Sequence, residues 1–270
     1  MKFVIIVGEK GHLIREYAKN ERILPMSGHS KWATTHRQKE ATDAKRGAIF
    51  TKLGNIIAIA ARQGIDPTTN PNLAVAIEKA KQSNMPAANI QRAIDRVADK
   101  NSAQLEEVLY EAYAPGGAGI IIEAATDNRN RTFPEVRTAV TKNGGNMAEP
   151  GSVSFGFERK GVIRMDISDQ PENFAGNADD LLLQVLDCGA EDADVSDGEL
   201  TAYTEMKSLH KIRENLVAAG LKISDAGLEY VAKNPVEISG ETVAKFEKLF
   251  DAVDELDDVT AVWTNANISE

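Results

Sequence analysis

Near residue 100 the hydrophobic periodicity of the chain changes, and this change restricts the fold more than any single motif does. Upstream, apolar residues recur three and four apart: Phe50, Leu53, Ile57 and Ala60, then Leu73, Ile77 and Ala80, then Ile90, Ile94 and Val97. That is the spacing of one buried stripe per helix. Gly64 and Asp66-Pro67 end the first stripe, Asn70-Pro71 offers a cap with proline in the first helical position, and Asn84-Met85-Pro86 breaks the second. The pattern predicts a small three-helix bundle over residues 26–100, with its first helix at about 43–62.

Downstream the pattern becomes strands alternating with helices. Residues 108–113 alternate, Ile120-Ile121-Ile122 reads as a buried strand, and Pro115-Gly116-Gly117-Ala118-Gly119 between them fits a hairpin. Thr132-Phe133-Pro134-Glu135 reads as a capping box that opens a helix containing Val136 and Val140. Asn143-Gly144-Gly145 stops that helix, and residues 152–157 are expected as the next strand. A second unit follows: strand 162–165, helix 179–186, strand 199–203, helix 209–219, strand 228–231. A helix striped by Val243, Phe246, Leu249, Phe250 and Val253, then a strand at 259–263, end the chain.

Two strands, a helix and a strand precede the second unit, and a helix and a strand follow it. Joined, they complete a β-β-α-β-α-β layer, so the second unit is expected as an insertion into the first. The fold expected is α+β: an N-terminal three-helix bundle and two ferredoxin-like sandwich domains, the last inserted into the middle one. The expected divisions are 1–25 as an extension, 26–100 as a helical basic domain, 101–158 with 240–270 as one α+β domain, and 159–239 as the inserted one.

Charge divides the chain at the same place. Residues 26–100 hold 12 Lys and Arg against 6 Asp and Glu, whereas residues 101–270 hold 14 against 32. A basic end on an acidic body suggests a polyanion-binding element joined to a solubilising one. The stretch "MSGHSKWATTHRQKEATDAKRG", residues 26–47, concentrates Lys31, Arg37, Lys39, Lys45 and Arg46 around Trp32, His29 and His36. At helical spacing Lys39 and Arg46 fall near the line of Leu53 and Ala60, where a charge is costly to bury. The part before residue 43 is therefore expected as an exposed arm that grips phosphates while its tryptophan stacks on a base. Lys31, Trp32, Arg37, Lys39, Lys45, Arg46 and Lys52 are the candidate nucleic-acid contacts.

Other chemistries find little support. The glycines 116–119 lead into a strand and not into a helix N-terminus, as a phosphate cradle requires. Asp192-Ala193-Asp194-Val195-Ser196-Asp197-Gly198 has its glycine one place late for a calcium loop, with Tyr203 where the bidentate glutamate belongs. Gly151-Ser152-Val153-Ser154-Phe155-Gly156 is not a nucleophile elbow, and His29 and His36 have no third ligand nearby. No catalytic set, metal site or cofactor motif emerges, so the expectation is a non-enzymatic binder without cofactor, metal or small-molecule substrate. One cysteine, Cys188, and no apolar run of the ~18–20 residues a membrane span needs point to the cytoplasm.

The motifs also carry a resemblance. Gly28-His29-Ser30-Lys31-Trp32, Asp43-Ala44-Lys45-Arg46-Gly47, Asn84-Met85-Pro86, Tyr110-Glu111 with Tyr113-Ala114-Pro115-Gly116-Gly117, and Thr126-Asp127-Asn128 with Asn130-Arg131-Thr132 resemble YebC-type proteins over residues 26–270. The resemblance implies a helical domain followed by two α+β domains, and no enzymatic activity. It implies a regulator of gene expression: a DNA-binding transcriptional regulator, or a ribosome-associated translation factor that aids synthesis of proline-rich proteins. The implied partner is DNA or ribosomal RNA, with the ribosome itself as a docking platform. Proteins of this type begin at the position of Met26, so residues 1–25 are expected to precede the true start. At His36-Arg37-Gln38-Lys39 and at Ala48 this chain carries less positive charge than the family pattern. The rival expectation is a protein–protein adaptor whose basic arm docks on an acidic partner.

Overall fold

The computed structural model describes residues 43–97, 105–172, 174 and 177–268, with 43–46 as backbone. Three helices come first: α1 (Asp43–Ala61), α2 (Pro71–Gln82) and α3 (Ala87–Asp95). Their stripes meet in one core of Leu53, Ile57, Leu73, Ala80, Met85, Ile90 and Ile94, with Phe50 and Ile77 at its margin. Val97 lies beyond the end of α3 and is exposed. Asn70 joins the first two helices. Its Oδ1 caps α2 by accepting from the Leu73 N–H (3.1 Å), while its Nδ2 donates to the carbonyls of Ala60 (2.8 Å) and Gly64 (2.7 Å). One buried amide thus satisfies orphan groups at the end of one helix and the start of the next.

The first sheet has the order β3-β1-β2-β9, from β1 (Glu106–Tyr113), β2 (Gly119–Thr126), β3 (Asn146–Ala148) and β9 (Val259–Thr264), all antiparallel. Helices α4 (Arg129–Lys142) and α7 (Glu241–Asp254) cover one face, where Val136, Val140, Phe246, Leu249 and Val253 pack on Ile120 and Ile122. Gly145 lies in the turn from α4 to β3. A Cβ there would stand 2.8 Å from the Tyr113 carbonyl and 2.5 Å from Leu249 Cδ1, so the close approach of strand, turn and helix requires glycine.

The second sheet, β5-β6-β4-β7, is built from β4 (Phe157–Asp166), β5 (Asp192–Ser196), β6 (Glu199–Thr204) and β7 (Asp225–Ala232). With α5 (Ala178–Asp187) and α6 (Leu209–Ala218) it runs β-α-β-β-α-β, and Ile163, Met165, Leu181, Val185, Leu200 and Leu216 form its core. The strand that completes the first sheet follows the whole of the second, so one α+β sandwich is inserted in the other. A parallel pair, β8 (Val236–Ile238) with β10 (Ala266–Ile268), clasps the return point.

Two local expectations are corrected. Helix α4 opens three residues before Thr132, capped by Asn128, whose Oδ1 accepts from the N–H groups of Asn130 (3.1 Å) and Arg131 (3.3 Å). The Thr132 hydroxyl is occupied elsewhere, donating to Asp258 at 2.5 Å beside Thr126, and Pro134 sits inside the helix. The third strand of the first sheet is β3 at 146–148, while residues 152–156 form a turn and Phe157 already opens β4. The acidic stretch set aside above as a calcium loop is edge strand β5 and its turn, with Asp197 at φ 52°. Among the described residues no helix is long and apolar enough to cross a membrane.

Candidate nucleic-acid interface

Of the seven candidate contacts, Lys31, Trp32, Arg37 and Lys39 lie outside the described residues. Lys45 and Arg46 fall in the first turn of α1. Lys52 is about two turns further along, and its side chain, 13 % exposed, is engaged within the protein. Its ammonium donates to the Asp254 carbonyl and lies 3.2 Å from the Asp254 carboxylate, at the C-terminal end of α7. A cation at a helix C-terminus meets the negative end of the dipole. Lys52 therefore ties the bundle to the first sandwich.

Two more ion pairs tie the bundle to the inserted sandwich: Lys79 with Asp225 (3.3 Å), and Arg213 of α6 with Glu78. Between α2 and α6 Arg213 borders a cleft of about 280 Å³ lined by polar and apolar side chains alike, among them Asn72, Lys207 and His210 with Val75, Met206 and Leu228. Arg62 donates to the Leu105 carbonyl (2.8 Å). The basic unit is thus fixed to the acidic body through the flank of α1 and α2, leaving the start of α1 to carry Lys45 and Arg46. Pattern reading overlooked Lys81 at the end of α2 and Arg92 on α3, both exposed. Their position just off the apolar stripe was the available signal. Gln91 and Arg92 each have a partner on α3 itself, Asp95 (2.8 Å) and Asn89.

The acidic body holds its own charges in three clusters. At the end of the first sheet, Arg131 grips Asp258 (2.8 and 3.1 Å) and Asp127 (3.2 Å). Burial pushes the Asp258 carboxyl up, but bonds from Thr132 and Arg131 outweigh it and hold it below the usual range. The Thr126-Asp127-Asn128 motif with Asn130-Arg131-Thr132 therefore stitches β2, α4 and β9 together. In the inserted sheet, Arg164 (5 % exposed) bonds Glu229 bidentately at 2.5 and 2.8 Å, with Glu199 and Asp225 each 3.7 Å away. Burial opposes the guanidinium charge, yet these carboxylates raise its pKa, while burial raises that of Glu199. Between the two sheets, Arg159 lies over the Tyr230 ring (5.4 Å) and 3.6 Å from Glu123. Burial pushes the Glu123 carboxyl up, partly offset by the Trp263 indole N–H at 3.1 Å. Among the described residues no group of three or more metal-ligating side chains occurs.

Comparison with known proteins gives two family-model matches, one on each side of residue 100. The family model of the TACO1/YebC protein N-terminal domain matches residues 30–100, and that of the TACO1/YebC second and third domains matches 105–266. The chain belongs to the TACO1/YebC family. A relative from Roseiflexus castenholzii, named "Probable transcriptional regulatory protein", is 45 % identical over 249 residues, covering 90 % of this chain and 96 % of its own. One of the same description from Caldanaerobacter subterraneus is 43 % identical, with 91 % of this chain and all of its own covered. The crystal structure of a conserved hypothetical protein from Aquifex aeolicus is 42 % identical, superposes with a TM-score of 0.77, and covers 84 % of this chain and 93 % of its own.

Proposed function

We propose that this protein is a non-enzymatic, nucleic-acid-binding regulator of gene expression that acts in the cytoplasm. In this reading Lys31, Trp32, Arg37 and Lys39, continued by Lys45 and Arg46 at the start of α1, grip the phosphate backbone. The acidic sandwiches hold that grip in place on a larger assembly. The observation that carries the reading is the charge division, a net of +6 over residues 26–100 against −18 over 101–270. The names of its relatives agree with a role in gene expression. Lys52 contributes by anchoring the bundle, since its ammonium already has Asp254.

Structured RNA suits this site better than a DNA operator. Reading a major groove calls for a helix with Arg, Asn and Gln free on one face. On α3, the helix whose composition comes nearest, Gln91 and Arg92 bond within their own helix. Recognition of RNA by shape needs basic arms and stacking only. On this reading the protein works at the ribosome.

Ultraviolet crosslinking in the native cell, followed by sequencing of the attached nucleic acid, tests this. Enrichment of one patch of ribosomal RNA is the expected result. Enrichment of promoter DNA replaces translation with transcription, and absence of enrichment overturns nucleic-acid binding in favour of a protein adaptor. In vitro, if about 4 phosphates are neutralised on a duplex, affinity falls on the order of 10²-fold between 50 and 200 mM salt. Replacing Lys45 and Arg46 by Ala lowers that slope by about 2 and weakens all sequences alike.

A further inference from the structure

Between β3 and β4 the chain turns through Pro150, Gly151 and a short 3-10 turn, Ser154–Gly156. Val153 and Phe157 point inward, into a cluster with Ile121 and Trp263. Phe155 between them is 75 % exposed, more than any other large hydrophobic side chain among the described residues. One exposed apolar side chain needs no explanation by itself. What sets this one apart is how its backbone is held.

The Glu111 carboxylate, 5 % exposed, accepts from the N–H groups of Gly151 (2.7 Å), Val153 (2.6 Å) and Ser154 (2.9 Å). The Tyr113 hydroxyl donates to the Ser152 carbonyl (2.8 Å), and the Lys233 ammonium donates to the Phe155 carbonyl (3.0 Å). The Lys233 N–H adds a bond to the Gly156 carbonyl (2.9 Å). Beneath the turn lies Gly119, where a Cβ would come within 2.7 Å of Val153 Cγ1. Sinking an ionised carboxylate to hold a surface turn is costly. The result is an aromatic ring presented in a set place, with its ordering completed before any partner arrives.

The residues that build and brace the turn indicate what its ring meets. Gly151, Ser154, Gly156 and Lys233 are small, polar or charged, whereas an anchor for a protein pocket sits inside a rim of contacts that exclude water. A bare ring beside an ammonium has the chemistry that takes an unpaired base and its phosphate. Glu149 and Glu158, both exposed, bracket the turn in sequence and oppose a broad phosphate-binding face, so stacking and not charge supplies the affinity. We propose that Phe155 is a stacking platform for an unpaired nucleobase, with Lys233 beside it for the adjoining phosphate. This rests on the nucleic-acid reading above and adds a second contact point on the body of the protein, apart from the basic arm.

The full-length protein and its Phe155→Ala and Phe155→Trp variants are titrated by fluorescence anisotropy against a labelled mixed-sequence 12-nucleotide RNA, its single-stranded DNA equivalent, and a duplex of the same sequence. Stacking is worth ~1–3 kcal/mol per base, so Phe155→Ala weakens both single strands by roughly 5- to 150-fold with an unchanged salt slope. Duplex binding stays within about twofold, and Phe155→Trp retains affinity and gains an indole signal that the single strand quenches. Unchanged thermal midpoints show that all variants fold. If Phe155→Ala binds single strands like the parent, the platform is refuted while the proposed function stands, and the ring is left as a protein contact. An equal loss on duplex also refutes it. If the parent binds none of the probes at 50 mM salt, both proposals fall together.

Discussion

Replacing Glu111 by Gln isolates the value of the clamp beneath Phe155. The carboxylate places Oε1 on the Gly151 N–H and Oε2 on those of Val153 and Ser154. Glutamine has one accepting oxygen, so whichever way the amide turns, its NH2 confronts at least one backbone donor. The smaller loss leaves the Gly151 N–H without its acceptor. A bond to a charged group contributes ~1.5–3 kcal/mol, and the two that remain weaken as their acceptor becomes neutral. The easier burial of an amide offsets part of this, leaving a net destabilisation of about 2–4 kcal/mol. Burial pushes the Glu111 carboxyl up, but the three N–H bonds outweigh it and hold it below its ordinary value of 4.5. A depressed carboxylate contributes stability that is full above the unfolded value and lost as pH falls through the folded one. The gap between parent and variant should therefore be complete above about pH 5 and shrink progressively below 4.5. Urea unfolding followed by Trp263, in a Trp32→Phe background that leaves it as the one indole, reads this directly, because Trp263 packs against Val153. A gap under about 0.5 kcal/mol at pH 7, or one that persists unchanged to pH 3, would refute the reasoning.

Arg164→Met leaves Glu229 buried without its bidentate partner and should cost about 3–5 kcal/mol in urea unfolding, most of it recovered by adding Glu229→Leu. A single-variant cost below about 1 kcal/mol would mean that the pair is not shielded from water. Lys52→Ala should lower the thermal midpoint by a few degrees through loss of the Asp254 tie, without altering the salt slope of nucleic-acid binding. The reverse pattern would return Lys52 to the phosphate contacts.

Both sandwiches and the insertion were legible in the sequence because their helices and central strands announce themselves locally. Ile120-Ile121-Ile122 and the Val243–Val253 stripe each carry enough apolar area to define an element without help from distant residues. The edge strands did not. β3 is three residues long, and β5 alternates aspartates with small or branched side chains at half-buried positions. Each exists because a neighbour's open edge supplies its hydrogen bonds. Thr132 misled for a related reason. Its spacing to Glu135 imitates a capping box, but its hydroxyl bonds Asp258, 126 residues away, while Asn128 does the capping.

Of the candidate site, Lys45 and Arg46 could be placed at the start of α1 because helix phase follows from residues three and four apart. Lys52 and Phe155 could not be understood that way. Lys52 finds its carboxylate 202 residues later, and the turn under Phe155 is held by Glu111 from about 40 residues earlier. Helical stripes, glycine stops and the division of charge at residue 100 depend on near neighbours or on simple sums, so the sequence by itself determined them. Which cation is tied down, which carboxylate is buried and which aromatic ring is left standing in water depend on partners that only the folded chain brings together, and tertiary structure alone decided them.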